Sequence, residues 1–240
     1  MAIAMHMSDG LVNAPTAAVF AIVATIGLGI CAGRARADLD DRTAPMAGLV
    51  TAFVFAAQMI NFPILPGASG HLLGGALVAI LVGPWVGALC IAIVLVVQAL
   101  LFADGGLTAL GTNVFNMALV GVFVGYGVAL ALRRFARRSR AGLLATAFVA
   151  ALLNVVVAAL GFVLEYALGG AGGASLGTVF TLMVGLHVLI GLGEGVITAA
   201  TVGAVAAVRP DLVYLLRSAP TAPLPRSSAG RDTATEGTQP

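Results

Sequence analysis

The chain has no lysine, only three histidines, two cysteines and one tryptophan, and just 9% charged residues in a length of 240. Soluble domains carry about a quarter of their residues as charges, so this composition excludes an ordinary water-facing surface. Cys31 and Cys90 fall inside apolar stretches far apart in sequence, which excludes a disulfide framework or a CxxC metal site and leaves packing as their expected role. No G-x4-G-K-[ST] phosphate loop is present, and no H-E-x-x-H pair supports an intramembrane metalloenzyme. The segment before the first apolar run lacks a basic leader region, so no signal peptide is expected.

What is present is apolar: 60% of residues are hydrophobic and the mean hydropathy is +1.07. A helix needs about 20 mostly apolar residues to cross the hydrocarbon core of a bilayer. Such stretches occur at 14–33, 44–63, 72–83, 84–103, 112–132, 142–168 and 177–208. The expected fold is therefore an all-α integral membrane protein of about seven transmembrane helices. The third and fourth stretches form one apolar block broken only by Gly83-Pro84, which favours a tight helical hairpin over a single long helix.

The arginines orient this bundle. Arg34, Arg36 and Arg42 follow the first span, Arg133, Arg134, Arg137, Arg138 and Arg140 the fifth, and Arg209, Arg217, Arg226 and Arg231 the seventh. The intervening loops 64–71, 104–111 and 169–176 contain no Lys or Arg. The positive-inside rule then places the N-terminus outside and the C-terminus in the cytoplasm of a cell-membrane protein. Three parts follow: an external N-terminal segment 1–13, a transmembrane domain 14–208 and a cytoplasmic tail 209–240. From Ser218 onward the tail has almost no bulky apolar residues and is expected to be disordered. The arginines from 133 to 140 are expected to anchor the orientation, with anionic membrane lipid or an acidic partner as alternative uses. Gly29-x3-Gly33, Gly121-x3-Gly125 and Gly191-x3-Gly195 allow close helix packing.

Polar residues stand out against this background. His6, in Met5-His6-Met7-Ser8-Asp9-Gly10, and His71, in the loop after the second span, share the external, Arg-free side and can meet. Neutral imidazole is the commonest metal donor near pH 7. With Met5 as first residue, its amine, the amide nitrogen of His6 and the His6 imidazole would make two fused chelate rings, and His71 would complete a four-nitrogen set suited to Ni(II), Cu(II) or Co(II). Asn113 and Asn116, three residues apart on one helix face, are expected to hydrogen-bond the N-terminal segment, to hold a ligand imidazole or to join helices. Asp9 is expected either to orient His6 or to form a turn with Gly10. His187 and Glu194 lie at membrane depth about two turns apart, as parts of a structural network or a coupling element. Glu165, near the external end of the sixth span, is expected to mark a boundary.

These stretches, with Ala44-Pro45-Met46-Ala47-Gly48, Ser69-Gly70-His71-Leu72-Leu73-Gly74-Gly75 and Gly111-Thr112-Asn113-Val114-Phe115-Asn116-Met117, resemble the CbiM/NikM family, the substrate-binding membrane component of energy-coupling-factor cobalt and nickel importers. The resemblance runs from residue 5 to about 205. It implies a seven-helix, non-catalytic subunit that captures Co(II) or Ni(II) as cargo, with cobalt favoured and no organic cofactor. It also implies a transmembrane coupling subunit, two cytoplasmic ATPase subunits and a small accessory membrane subunit as partners, and no nucleic acid. Carried over by motif position, the metal ligands are Met5, His6 and His71. Ser8 stands where the family's N-terminal motif has a proline, and residues 1–4 precede the amine that the chelate needs, so a start at Met5 or removal of those four residues is expected. A stand-alone secondary carrier or channel is the competing class, although no convincing internal repeat supports it.

Overall fold

The computed structural model describes residues 6–65 and 68–217. Among the described residues, helices α1 (Ala14–Asp38), α4 (Pro84–Leu101), α8 (Arg140–Gly169) and α9 (Leu176–Val208), with the continuous stretch Leu110–Ala131 that begins with α5 (Leu110–Asn113), make five helices long and apolar enough to cross a membrane. Their outward faces are apolar: Ile22, Ile26, Leu189 and Val196 are each about 60% exposed. Such faces suit lipid as solvent, and helices are the natural form there because they satisfy their own backbone groups. Short side-chain caps set the helix starts: Asn13 Oδ1 accepts the Thr16 amide, Ser139 Oγ that of Gly142 and Ser175 Oγ that of Thr178.

The remaining two of the seven expected segments are shorter. Helix α2 (Thr43–Gln58) has 16 residues, and α3 (Gly75–Val82) has eight, all of them buried. The break at Gly83-Pro84 is a hairpin, as its residues suggest. Gly83 takes φ +91°, and a Cβ on Gly87 would lie 2.9 Å from the Val78 side chain; in one continuous helix these residues would be about 13 Å apart. Residues 72–74, expected to begin the third span, are not helical. They form the approach to α3, which sits inside the bundle between α4, α6 (Val122–Ala131) and α8.

Loops gather at two ends. At one, Asn13 N donates to Gly169 O at 2.7 Å and Ala171 N to Leu11 O at 2.9 Å, joining the N-terminal segment to the α8–α9 connection. At the other, Tyr214 Oη donates to Asp38 at 3.4 Å and Arg217 to Thr43 Oγ1 at 3.0 Å. The second end carries the arginines, and α7 (Arg133–Ala136) lies there. The tail was expected to leave the domain at 209, but Pro210–Leu212 and Tyr214–Leu216 form 3₁₀ turns, and Val213 between them and Leu215 in the second are buried. Arg133 Nε donates to Leu215 O at 2.9 Å, so the fold extends to 217. The apolar pair Val213 and Leu215 supplies the anchor that a reading by charge overlooks. Cys31 and Cys90 are both buried as free thiols.

Candidate metal centre

Strands β1 (Asn61–Leu65) and β2 (Ala68–His71) form an antiparallel hairpin in which Asn61 pairs with His71. The chain then turns through Gly74, at φ +79°, a value that glycine adopts without strain, and enters α3. The first amides of a helix lack intrahelical partners and carry the positive end of its dipole. Glu194, from the middle of α9, is aimed at this end: its carboxylate accepts Gly74 N, on the cap residue, at 3.1 Å and Leu73 N, just ahead of it, at 2.5 Å. Asn154 Nδ2 donates to the same carboxylate at 3.0 Å, and Gln58 Nε2 donates to Leu73 O at 2.7 Å. The residues following His71 are thus pinned from α2, α8 and α9.

His71 is fully buried, and its Nδ1–H donates to Leu72 O at 2.6 Å. That bond fixes the tautomer and places the ring's lone pair on Nε2. Burial, and next the neighbouring His6, push its pKa down to about 3, so the ring is neutral at ordinary pH.

The N-terminal segment is held from above and below. Asn113 clasps residue 7 on both sides, with Met7 N donating to Oδ1 at 2.7 Å and Nδ2 donating to Met7 O at 3.2 Å. Gly106 N donates to the same Met7 carbonyl at 3.0 Å. Gly105 makes the close approach possible: at φ +88°, a Cβ there would lie 2.5 Å from that of His6. His6 is 1% exposed and its Nδ1 lies 3.2 Å from Asp104 Oδ1. The rings of His6 and His71 stand 5.1 Å apart between centroids, tilted by 43°. The two histidines therefore meet.

The other residues singled out in the sequence resolve among their alternatives, and Glu165 departs from expectation. Asp9 does not orient His6. It accepts Thr108 N at 2.8 Å and Thr108 Oγ1 at 2.6 Å, bonds that hold its carboxyl below the usual range, and the ring falls to Asp104 instead. Asn116 Nδ2 donates to Glu165 Oε2 at 2.5 Å, so it joins α8 to the 114–121 π-helical stretch. Glu165 is accordingly a buried interior residue, 0% exposed, and not a boundary. His187 Nδ1–H donates to Met183 O on its own helix, and its ring lines a cavity of about 20 Å³ with Asn113, Asn116 and Met183. Glu194 and His187 therefore have separate partners. The Met7 side chain is packed in an apolar cluster with Leu11, Phe162 and Met183. Met5 lies outside the described residues.

Among the described residues no three His, Cys, Asp or Glu side chains are grouped to hold a metal ion. Two imidazoles offer two nitrogen donors, with the Asp104 carboxylate beside them. Asp104 is the residue that sequence reasoning missed. It is the sole acid in the Arg-free loop 104–111, and that isolation was its only signal.

A multi-pass helical membrane protein with a buried histidine pair at one end is the class these features define. Residues 6–212 match the family described as the cobalt uptake substrate-specific transmembrane region, CbiM. The chain belongs to that family. It is 44% identical to a putative fused nickel transport protein NikMN of Archaeoglobus fulgidus, over 87% of this chain and 68% of that protein. To the cobalt transport protein CbiM of Sorangium cellulosum it is 33% identical, over 91% and 99% of the two chains. The crystal structure of a transition metal transporter matches with a TM-score of 0.78 and 29% identity, covering 85% of this chain and 93% of that one.

Proposed function

We propose that this chain captures a divalent transition metal, cobalt ahead of nickel, on the outer face of the membrane for an ATP-driven energy-coupling-factor importer. The observation that carries the reading is the buried His6–His71 pair, 5.1 Å between ring centres. In this scheme the metal is cargo, held by the Met5 amine, the amide and imidazole nitrogens of His6, and His71 Nε2. Four nitrogens suit Co(II) and Ni(II) and disfavour the oxygen-seeking Mg(II) and Ca(II). Fused rings through the His6 amide close on Nδ1, the nitrogen 3.2 Å from Asp104, so binding exchanges that contact for the metal while leaving a carboxylate beside the cation. The next amide, Met7 N, is already committed to Asn113.

The scheme needs a free amine on Met5, supplied by a start at that residue or by removal of residues 1–4. Energy comes from partners: a transmembrane coupling subunit and two cytoplasmic ATPases, with a small accessory membrane subunit. The fused names of relatives such as NikMN support an assembly with other transport components. Reconstituted vesicles test the reading. Uptake of Co(II) or Ni(II) should require the coupling subunit, the ATPases and ATP inside, and equal uptake by this chain alone would make it a secondary carrier or channel.

A further inference from the structure

At the arginine end, the turn between α7 and α8 and the end of α9 enclose a crevice of about 470 Å³. That is the size of a small-molecule pocket. One wall is built from Arg137, Arg138 and Arg140, and the floor from Leu143, Gly203 and Ala206. Among the described residues no Asp or Glu lines it. Three acids at this end have partners of their own: Asp211 pairs with Arg209 at 2.9 Å, Asp40 accepts the amides of Arg42 and Thr43, and Asp38 accepts Tyr214 Oη. Arg137 spends one nitrogen on the Leu216 and Arg217 carbonyls, which closes the crevice from the tail side. Among the described residues the guanidinium groups of Arg138 and Arg140 make no hydrogen bond or ion pair, and both residues are exposed.

The geometry points to a binding site for the phosphate headgroup of an anionic phospholipid, with its acyl chains along the apolar floor. Guanidinium groups match phosphate oxygens in paired hydrogen bonds. Basic pockets between helices at the membrane surface are suited to lipid headgroups. A lining that joins three arginines to apolar residues, at the ends of two membrane-length helices, fits a headgroup with chains better than a wholly polar ligand. The same chemistry explains why these arginines surround a cavity when orientation alone would be served by scattered charges.

The test uses the purified full chain in neutral detergent micelles, with thermal stability followed against dioctanoyl phosphatidylglycerol, dioctanoyl phosphatidylcholine, inorganic phosphate and a hexaglutamate peptide. Phosphatidylglycerol alone should give a saturable rise in melting temperature. R138Q/R140Q should weaken that response about tenfold or more, in line with the loss of two surface cations. R36Q, at the same end but outside the crevice, should keep it. An equal response to phosphatidylcholine, or an equal loss in R36Q and R138Q/R140Q, would overturn the proposal. Saturation by phosphate alone would make this a simple ion site, and saturation by the peptide without a lipid response would assign it to an acidic protein partner. Either outcome overturns the lipid assignment.

Discussion

The carboxylate of Glu194 accepts the Leu73 amide at 2.5 Å, bridging the middle of α9 and the segment that carries His71. An acid placed at membrane depth is costly, and here that cost is offset by the positive end of α3 and the Asn154 amide. E194Q keeps the size but replaces one acceptor oxygen with a donor that faces a backbone N–H. Leaving one such group unsatisfied costs about 1–3 kcal/mol. E194Q should therefore lower the melting temperature and weaken metal binding together, because residues 71–74 lose their anchor. Binding at wild-type strength in a folded E194Q protein would show that the anchor does not set the position of His71.

Much of this arrangement was legible in the residues. Arg-free loops put His6 and His71 on one face, and insertion cost alone marked Glu194 as needing an interior partner. What Glu194 meets was not legible, since the start of α3 inside the bundle is set by a non-helical turn at residues 72–74 within an apolar run that reads as one span. Asp104 was missed because a single acid among Gly, Ala and Leu has no periodicity to reveal its partner. Asp9 lies closer in sequence to His6, but the turn at Gly10 and the Thr108 bonds direct its carboxylate away.

Asp104 and Asp9 should consequently separate on substitution. D104N removes the negative charge that stays beside the proposed cation once His6 Nδ1 has exchanged Asp104 for the metal, and should weaken Co(II) or Ni(II) binding about tenfold or more. D9N loosens only the Thr108 contact and should have the smaller effect. Isothermal titration of both variants checks the order, and the reverse order would place Asp9 nearer the metal than Asp104.

Gly105 and Gly173 both have positive φ, at +88° and +76°. A Cβ at Gly173 meets nothing within 4 Å, whereas at Gly105 it lies 2.5 Å from His6 Cβ. Each alanine variant bears a left-handed strain of about 1–2 kcal/mol. Only G105A should also displace His6 and lose metal affinity. Comparable affinities in G105A and G173A would show that the glycine approach does not shape the site.

Two pH effects follow, with separate windows. Releasing the His6 amide proton makes metal binding tighten as pH rises, and His71 adds no slope above pH 6.5 because it is already neutral there. An affinity unchanged between about pH 6 and 8.5 would exclude amide ligation. For the metal-free protein, the folded His71 pKa of about 3 lies below the ordinary 6.5, so the unfolded chain binds more protons between those values. Its contribution to stability is complete above 6.5 and is lost as pH falls through that window. Thermal melts of wild type and H71N should converge toward the lower end of the window.

The most direct measurement is titration of the purified chain, its N-terminus established by mass spectrometry, with Co(II) and Ni(II) against H6A and H71A. One ion should bind per chain beginning at Met5, and each substitution should weaken binding about a hundredfold or more, equivalent to losing about 2.8 kcal/mol. Wild-type affinity in H71A, or tight binding by a chain whose amine lies ahead of Met5, would contradict the four-nitrogen site.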